Sequence, residues 1–135
     1  MKPVHRFFLG CFCFLVCLAV AAPGRAQDLK VTEMAVTTKI VRGNPIDAVR
    51  RISSTSVKAL YCFTRLVNPG GSETVVKHVW YKDEKPVSEQ VLKVKGEKWR
   101  TWSKRLIDRE SVGEWRVDAL DSDGKLLKSV KFRIN

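Results

Sequence analysis

Glu114-Trp115-Arg116-Val117-Asp118-Ala119-Leu120-Asp121-Ser122-Asp123-Gly124-Lys125-Leu126-Leu127-Lys128-Ser129-Val130-Lys131-Phe132-Arg133-Ile134 decides the fold class. Side chains in a strand alternate between two faces. In the first half Trp115, Val117 and Ala119 share one face, and Glu114, Arg116 and Asp118 share the other. In the second half Leu126, Lys128, Val130, Phe132 and Ile134 share a face, while Lys131 and Arg133 point away. Lys128 departs from the pattern, which puts it near the strand end. Between the halves, Asp121-Ser122-Asp123-Gly124 supplies turn residues, with Gly able to adopt positive φ at no steric cost. Two strands, each with one apolar and one charged face, make a hairpin of an antiparallel sheet that is wet on one side.

The same rhythm runs back through the chain. Runs are expected at 32–42, 57–67, 74–81, 87–94 and 99–107, ahead of 114–120 and 126–134. Asn68-Pro69-Gly70-Gly71 is the strongest turn signal, and Lys82-Asp83-Glu84-Lys85-Pro86 is a second. About seven short strands at close spacing predict an all-β, single immunoglobulin-like antiparallel β-sandwich. One helix is expected: Asn44 as cap, Pro45 in the first turn, and Ile46, Val49 and Ile52 on one face.

The first residues have a different character. Lys2 and Arg6 precede an uncharged apolar run from Phe7 to Ala22, and Pro23-Gly24-Arg25-Ala26 closes it with small residues where a signal peptidase cuts. The run is short of the roughly 20 residues that span a bilayer. A signal peptide is therefore expected over 1–26, with one domain over 27–135 and a periplasmic or secreted location. Contact with membrane is expected only through this segment if it stays uncleaved. Cleavage removes Cys11, Cys13 and Cys17, so Cys62 is left alone and an internal disulfide is excluded. It also removes Lys2, Arg6 and Arg25, which lowers the formal charge from +11 to +8. An excess of that size on a small domain attracts anionic polymers. Outside the cytoplasm the expected partners are an anionic envelope polymer or an exported protein, and no nucleic-acid motif is present to argue otherwise.

The residues offer little chemistry. After cleavage His78 is the one histidine, with no orienting acid visible beside it. Asp121-x-Asp123-Gly124 lacks the further ligands of a calcium loop. No catalysis, metal or cofactor is expected. The aromatic residues carry more. Trp80 and Trp115 fit a core. Trp99 and Trp102 are three apart, so they fall on opposite strand faces and one should lie toward solvent. Arg100 and Lys104 share the face of Trp102, where a cation can sit over an indole. His78, Trp80, Trp99, Arg100, Trp102 and Lys104 are the candidate binding residues, for an envelope component, an exported protein or a sugar ring stacked on tryptophan.

His78-x-Trp80, Trp99-Arg100-Thr101-Trp102-Ser103 and Gly113-Glu114-Trp115-Arg116-Val117, with Leu66-x-Asn68 before them and Asp123-Gly124-x-Leu126 after, resemble the bacterial domain of unknown function 2914 family (DUF2914). The likeness runs from Leu66 to the C-terminus. It implies an extracytoplasmic or membrane-tethered bacterial domain and no assigned activity.

Overall fold

The computed structural model describes residues 28–135, so the signal expected over 1–26 lies outside the described residues. Ten strands follow in order: β1 (Lys30–Thr37), β2 (Ile40–Val41), β3 (Asn44–Pro45), β4 (Arg51–Ile52), β5 (Ala59–Val67), β6 (Thr74–Lys82), β7 (Lys85–Val94), β8 (Lys98–Leu106), β9 (Gly113–Leu120) and β10 (Leu126–Ile134). Seven are long, and they fall within two residues of the runs read from the sequence, except that the first starts earlier and breaks after Thr37. β1, β5 and β8 form one sheet, and β4, β10, β9, β6 and β7 form the other. The long strands pair antiparallel throughout; β4 adds a two-residue parallel pairing to the end of β10. This is the expected immunoglobulin-like sandwich.

The core lies between the sheets. Leu60, Cys62 and Leu66 of β5 face Val76 and Trp80 of β6, Trp115 and Val117 of β9, and Phe132 and Ile134 of β10. Trp80 meets Trp115 and Phe132 edge-on, with centroids 6.4 and 6.1 Å apart, while Trp115 stacks on Phe132 at 5.8 Å. These are the geometries an aromatic quadrupole favours, each worth about 0.5–1.5 kcal/mol beyond area burial. Cys62 is sealed in this core, and burial pushes its thiol pKa up, so it stays an inert apolar filler.

Two expectations are corrected. The register of β10 against β9 shifts between Leu126 and Lys128. That irregularity changes the facing of the strand's first residues, so Leu127 packs on the core and Leu126 is exposed. The helix at Asn44 does not form. Arg42 and Gly43 both take positive φ and make a two-residue hairpin turn joining β2 to β3. The Val49 N–H, which a helix would direct at Pro45 O, donates instead to Val36 O of β1, and Ile46 N–H donates to Lys39 O in the link between β1 and β2. The β-branched residues of this stretch favour that extended path.

Candidate functional site

β5 and β8 run side by side, with Leu60 opposite Arg105, Cys62 opposite Ser103 and Thr64 opposite Thr101. Their inner faces carry polar groups into the core beside β6. His78 is fully buried there, and Ser103 is 1 % exposed. Trp80 Nε1–H donates to Ser103 Oγ at 3.0 Å, and Ser103 Oγ lies 2.7 Å from His78 Nδ1. On the other side of the ring, His78 Nε2 lies 3.1 Å from Thr64 Oγ1, which donates to Thr101 O at 3.3 Å. One arrangement satisfies every atom. Ser103 accepts from Trp80 and spends its own proton on Nδ1, so Nε2 carries the ring hydrogen and donates to Thr64. The result is a one-directional chain of hydrogen bonds tying the two sheets together. Burial lowers the His78 pKa to about 4, so the ring is neutral at physiological pH.

This placement corrects two site residues. His78 and Trp80 were candidates for binding, but both point inward from a central strand and no partner in solution touches them. Their position two apart, in step with Val76, already placed them on the core face. Ser103 and Thr64, the hydroxyls that satisfy His78, went unread because neither residue type signals burial.

The outer face of the same sheet is different. Register places residues in rows across β1, β5 and β8: Lys30, Val67 and Lys98; then Glu33, Arg65 and Arg100; then Ala35, Phe63 and Trp102; then Thr37, Tyr61 and Lys104. Trp102 is 39 % exposed, and Lys98, Arg100 and Lys104 are exposed beside it, while Trp99 turns the other way and packs against the core. The opposed facing of Trp99 and Trp102 is as expected. Among the described residues no cation sits over Trp102 as expected: Arg65 lies 5.6 Å from the Phe63 ring and Lys104 lies 6.0 Å from Tyr61. Phe63 is on this outer face yet wholly buried, with the Arg65 guanidinium over its ring.

The β2–β3 turn leans onto the second row. Asn44 Oδ1 accepts from Arg65 Nη2 at 3.0 Å and from Arg100 Nη1 at 3.1 Å. A Cβ on Gly43 would stand 3.4 Å from Arg100 Cζ, an ordinary contact, so it is the φ of +72° that favours glycine at this turn. Glu33 holds the Nε of Arg65 at 3.0 Å, and Arg100 has no carboxylate partner among the described residues. A cleft of about 600 Å³ opens here, lined by Thr32, Arg65, Lys98, Trp99 and Arg100. Arg65 and Asn44 were absent from the candidates read in sequence. The pairing of 65 with 100 becomes visible only once the strands are set in register.

The third motif serves the fold. Gly113 leaves room for the Asp83 carboxylate, which would be 2.8 Å from an added Cβ. Asp83 Oδ1 accepts from Glu114 N–H at 3.0 Å. Arg116 bonds Glu84 at 2.8 Å and Asp118 at 3.0 Å, and lies 4.2 Å from the Tyr81 ring. The β6–β7 turn, with positive φ at both Asp83 and Glu84, is thereby pinned to β9. In the other acidic turn, Asp121 Oδ1 accepts from Asp123 N–H and Lys125 N–H, both at 2.9 Å, and the carboxylate closes the turn. No group of three or more His, Cys, Asp or Glu side chains with metal-holding geometry occurs among the described residues.

Sheet order, core and face composition define an immunoglobulin-like domain, and solved structures agree. An immunoglobulin-like protein from Pseudomonas aeruginosa superposes with a TM-score of 0.56 at 11 % identity, over 83 % of this chain and 100 % of that one. The alkylpurine DNA glycosylase AlkC of Pseudomonas fluorescens, bound to DNA containing an abasic-site analogue, matches with a TM-score of 0.50 at 15 % identity, over 79 % of this chain but 30 % of that one. Identities this low speak to the fold alone. Residues 73–134 match the model of the family described as protein of unknown function (DUF2914), which bears out the resemblance from β6 to β10. No curated protein matches the chain in sequence.

Proposed function

We propose that this is an exported, non-catalytic binding domain that uses the outer face of its three-stranded sheet to hold an envelope component or another exported protein. The observation that carries this reading is the face itself: Lys30, Arg65, Lys98, Arg100 and Lys104 share it with one carboxylate, Glu33, and with an exposed tryptophan. A surface so unbalanced attracts anionic partners at long range. The non-catalytic part rests on where the reactive groups lie. Ser103 and His78 stand at nucleophile-to-base distance, but both are enclosed and the Ser103 proton is committed within the chain of hydrogen bonds. Export rests on the signal-like first 26 residues.

A second reading has its own support. The half-open indole of Trp102 offers a flat apolar platform between cations, which suits a sugar ring.

The test is co-sedimentation of the mature domain with envelope vesicles and with wall polymer across a salt series. Binding should fall steeply from 0.05 to 0.5 M salt as screening shortens to within a few ångströms. Arg100→Glu should abolish it at low salt. Salt-insensitive binding, or binding indifferent to Arg100→Glu, would overturn the assignment of this face.

A further inference from the structure

We infer that Arg65 and Arg100 form an oxyanion site for an acidic polysaccharide, with the amide of Asn44 occupying it as a displaceable latch. The inference rests on the proposed binding role of this face and names its ligand class. Two guanidiniums on neighbouring strands converge on a single oxygen, at 3.0 and 3.1 Å. That oxygen belongs to a neutral amide. A carboxylate or phosphate oxygen at the same point would make charge-assisted bonds roughly twice as strong, so an anion displaces the amide. Glu33 leaves the site open because it engages Arg65 through Nε and not through the Nη2 that bonds Asn44.

The surroundings select the carrier of the anion. The cleft continues past Lys98 and Thr32, which extends positive charge and adds a hydroxyl on one side. On the other side the next row holds Trp102, about 7 Å along the strand, two residues at roughly 3.3 Å each. A chain that presents an acid group to the arginines and a ring face to the indole fits both. A polysaccharide with an acid on its sugars has that build. The latch sits beside the two-residue turn of a short hairpin, and among the described residues its hydrogen bonds to the arginines are the two that Asn44 Oδ1 accepts.

Isothermal titration of the mature domain separates the possibilities. The probes are an oligogalacturonate, a phosphate-bearing mannan, neutral dextran and inorganic polyphosphate. Binding of either acidic glycan without binding of dextran supports the inference, and the better of the two names the acid group. Arg100→Ala and Trp102→Ala should each weaken that binding at least tenfold. Lys93→Ala, the same charge change on the exposed face of β7, should leave it within twofold. Asn44→Ala should tighten binding severalfold by removing the latch, a change that diffuse charge attraction would not notice. Equal losses from Arg100→Ala and Lys93→Ala overturn the site. Polyphosphate bound as tightly as the glycans, with Trp102→Ala silent, overturns the polysaccharide. Envelope co-sedimentation that persists when all glycans fail to bind would sink this inference and leave the binding role standing; loss of both would end the role as well.

Discussion

The inner and outer faces of one three-stranded sheet use the same strands for opposite ends. Thr64 and Ser103 point inward from β5 and β8 and close their hydrogen bonds on His78 and Trp80 with nothing left over. Arg65, Arg100 and Trp102, their immediate neighbours in sequence, point outward and leave capacity unused. Trp99-Arg100-Thr101-Trp102-Ser103 is thus two sets of residues interleaved by the pleat. One set fixes the fold and the other is free to meet a partner. A motif of this kind cannot be taken as a site in one piece. Its parity has to be read first.

The sharpest way to break that division is Ser103→Ala. It leaves the Trp80 N–H without an acceptor and His78 Nδ1 without a donor, both in the dry core. Each orphan costs about 1–3 kcal/mol, so a loss of about 4 kcal/mol is expected in urea unfolding. Glycan affinity of the folded fraction should not change. A loss under about 1 kcal/mol would mean the inner chain is not structural.

Acid gives the next effect. The His78 pKa is about 4 in the folded protein and about 6.5 when unfolded. Between those values the unfolded chain takes up a proton that the folded chain refuses. Stability therefore falls as pH drops through 6.5 toward 4 and levels off below, by about 3 kcal/mol in all. His78→Gln should flatten this part of the curve, whatever its cost at neutral pH. Asp47 titrates lower. Burial works to raise it, but hydrogen bonds from Thr37 and Thr38 outweigh that, and its contribution is lost only below the ordinary carboxylate range. An unchanged slope in His78→Gln would show that the ring is not the group that resists protonation.

Alternation made the architecture legible. The strict period of 114–120 and the turn at Asp121–Gly124 predicted β9, β10 and their pairing, and the same argument separated Trp99 from Trp102. What failed did so for identifiable reasons. At Asn44-Pro45 a helix-cap signal competes with β-branched residues and a turn-forming Gly43, and hydrogen bonds from Val49 to β1 and from Ile46 to Lys39 hold the extended path. In β5 both faces carry large apolar residues, so the sequence Tyr61-Cys62-Phe63 does not say that Phe63 is buried on the outside under Arg65. The convergence of Arg65, Arg100 and Asn44 joins residues up to 56 apart in the chain, and only the register of β5 with β8 and the fold of one hairpin bring them together.

The smallest effect is the most telling for the outer face. Trp102→Ala and Arg100→Ala remove exposed side chains that lack a buried hydrogen bond, so each should change stability by no more than about 0.5–1 kcal/mol. The Arg65–Glu33 pair, with both side chains about two-fifths exposed, should contribute no more than about 1 kcal/mol, and less as salt rises. Arg65→Ala has a further consequence, because the guanidinium covers Phe63 and its loss uncovers an aromatic ring. It should therefore destabilise more than Arg100→Ala, although both arginines hold the same Asn44 oxygen. Thermal unfolding of the two variants side by side measures the difference. If Arg100→Ala proves the more damaging, then the arginine of the motif is holding the hairpin down as part of the fold, and the outer face is less free for a partner than its geometry indicates.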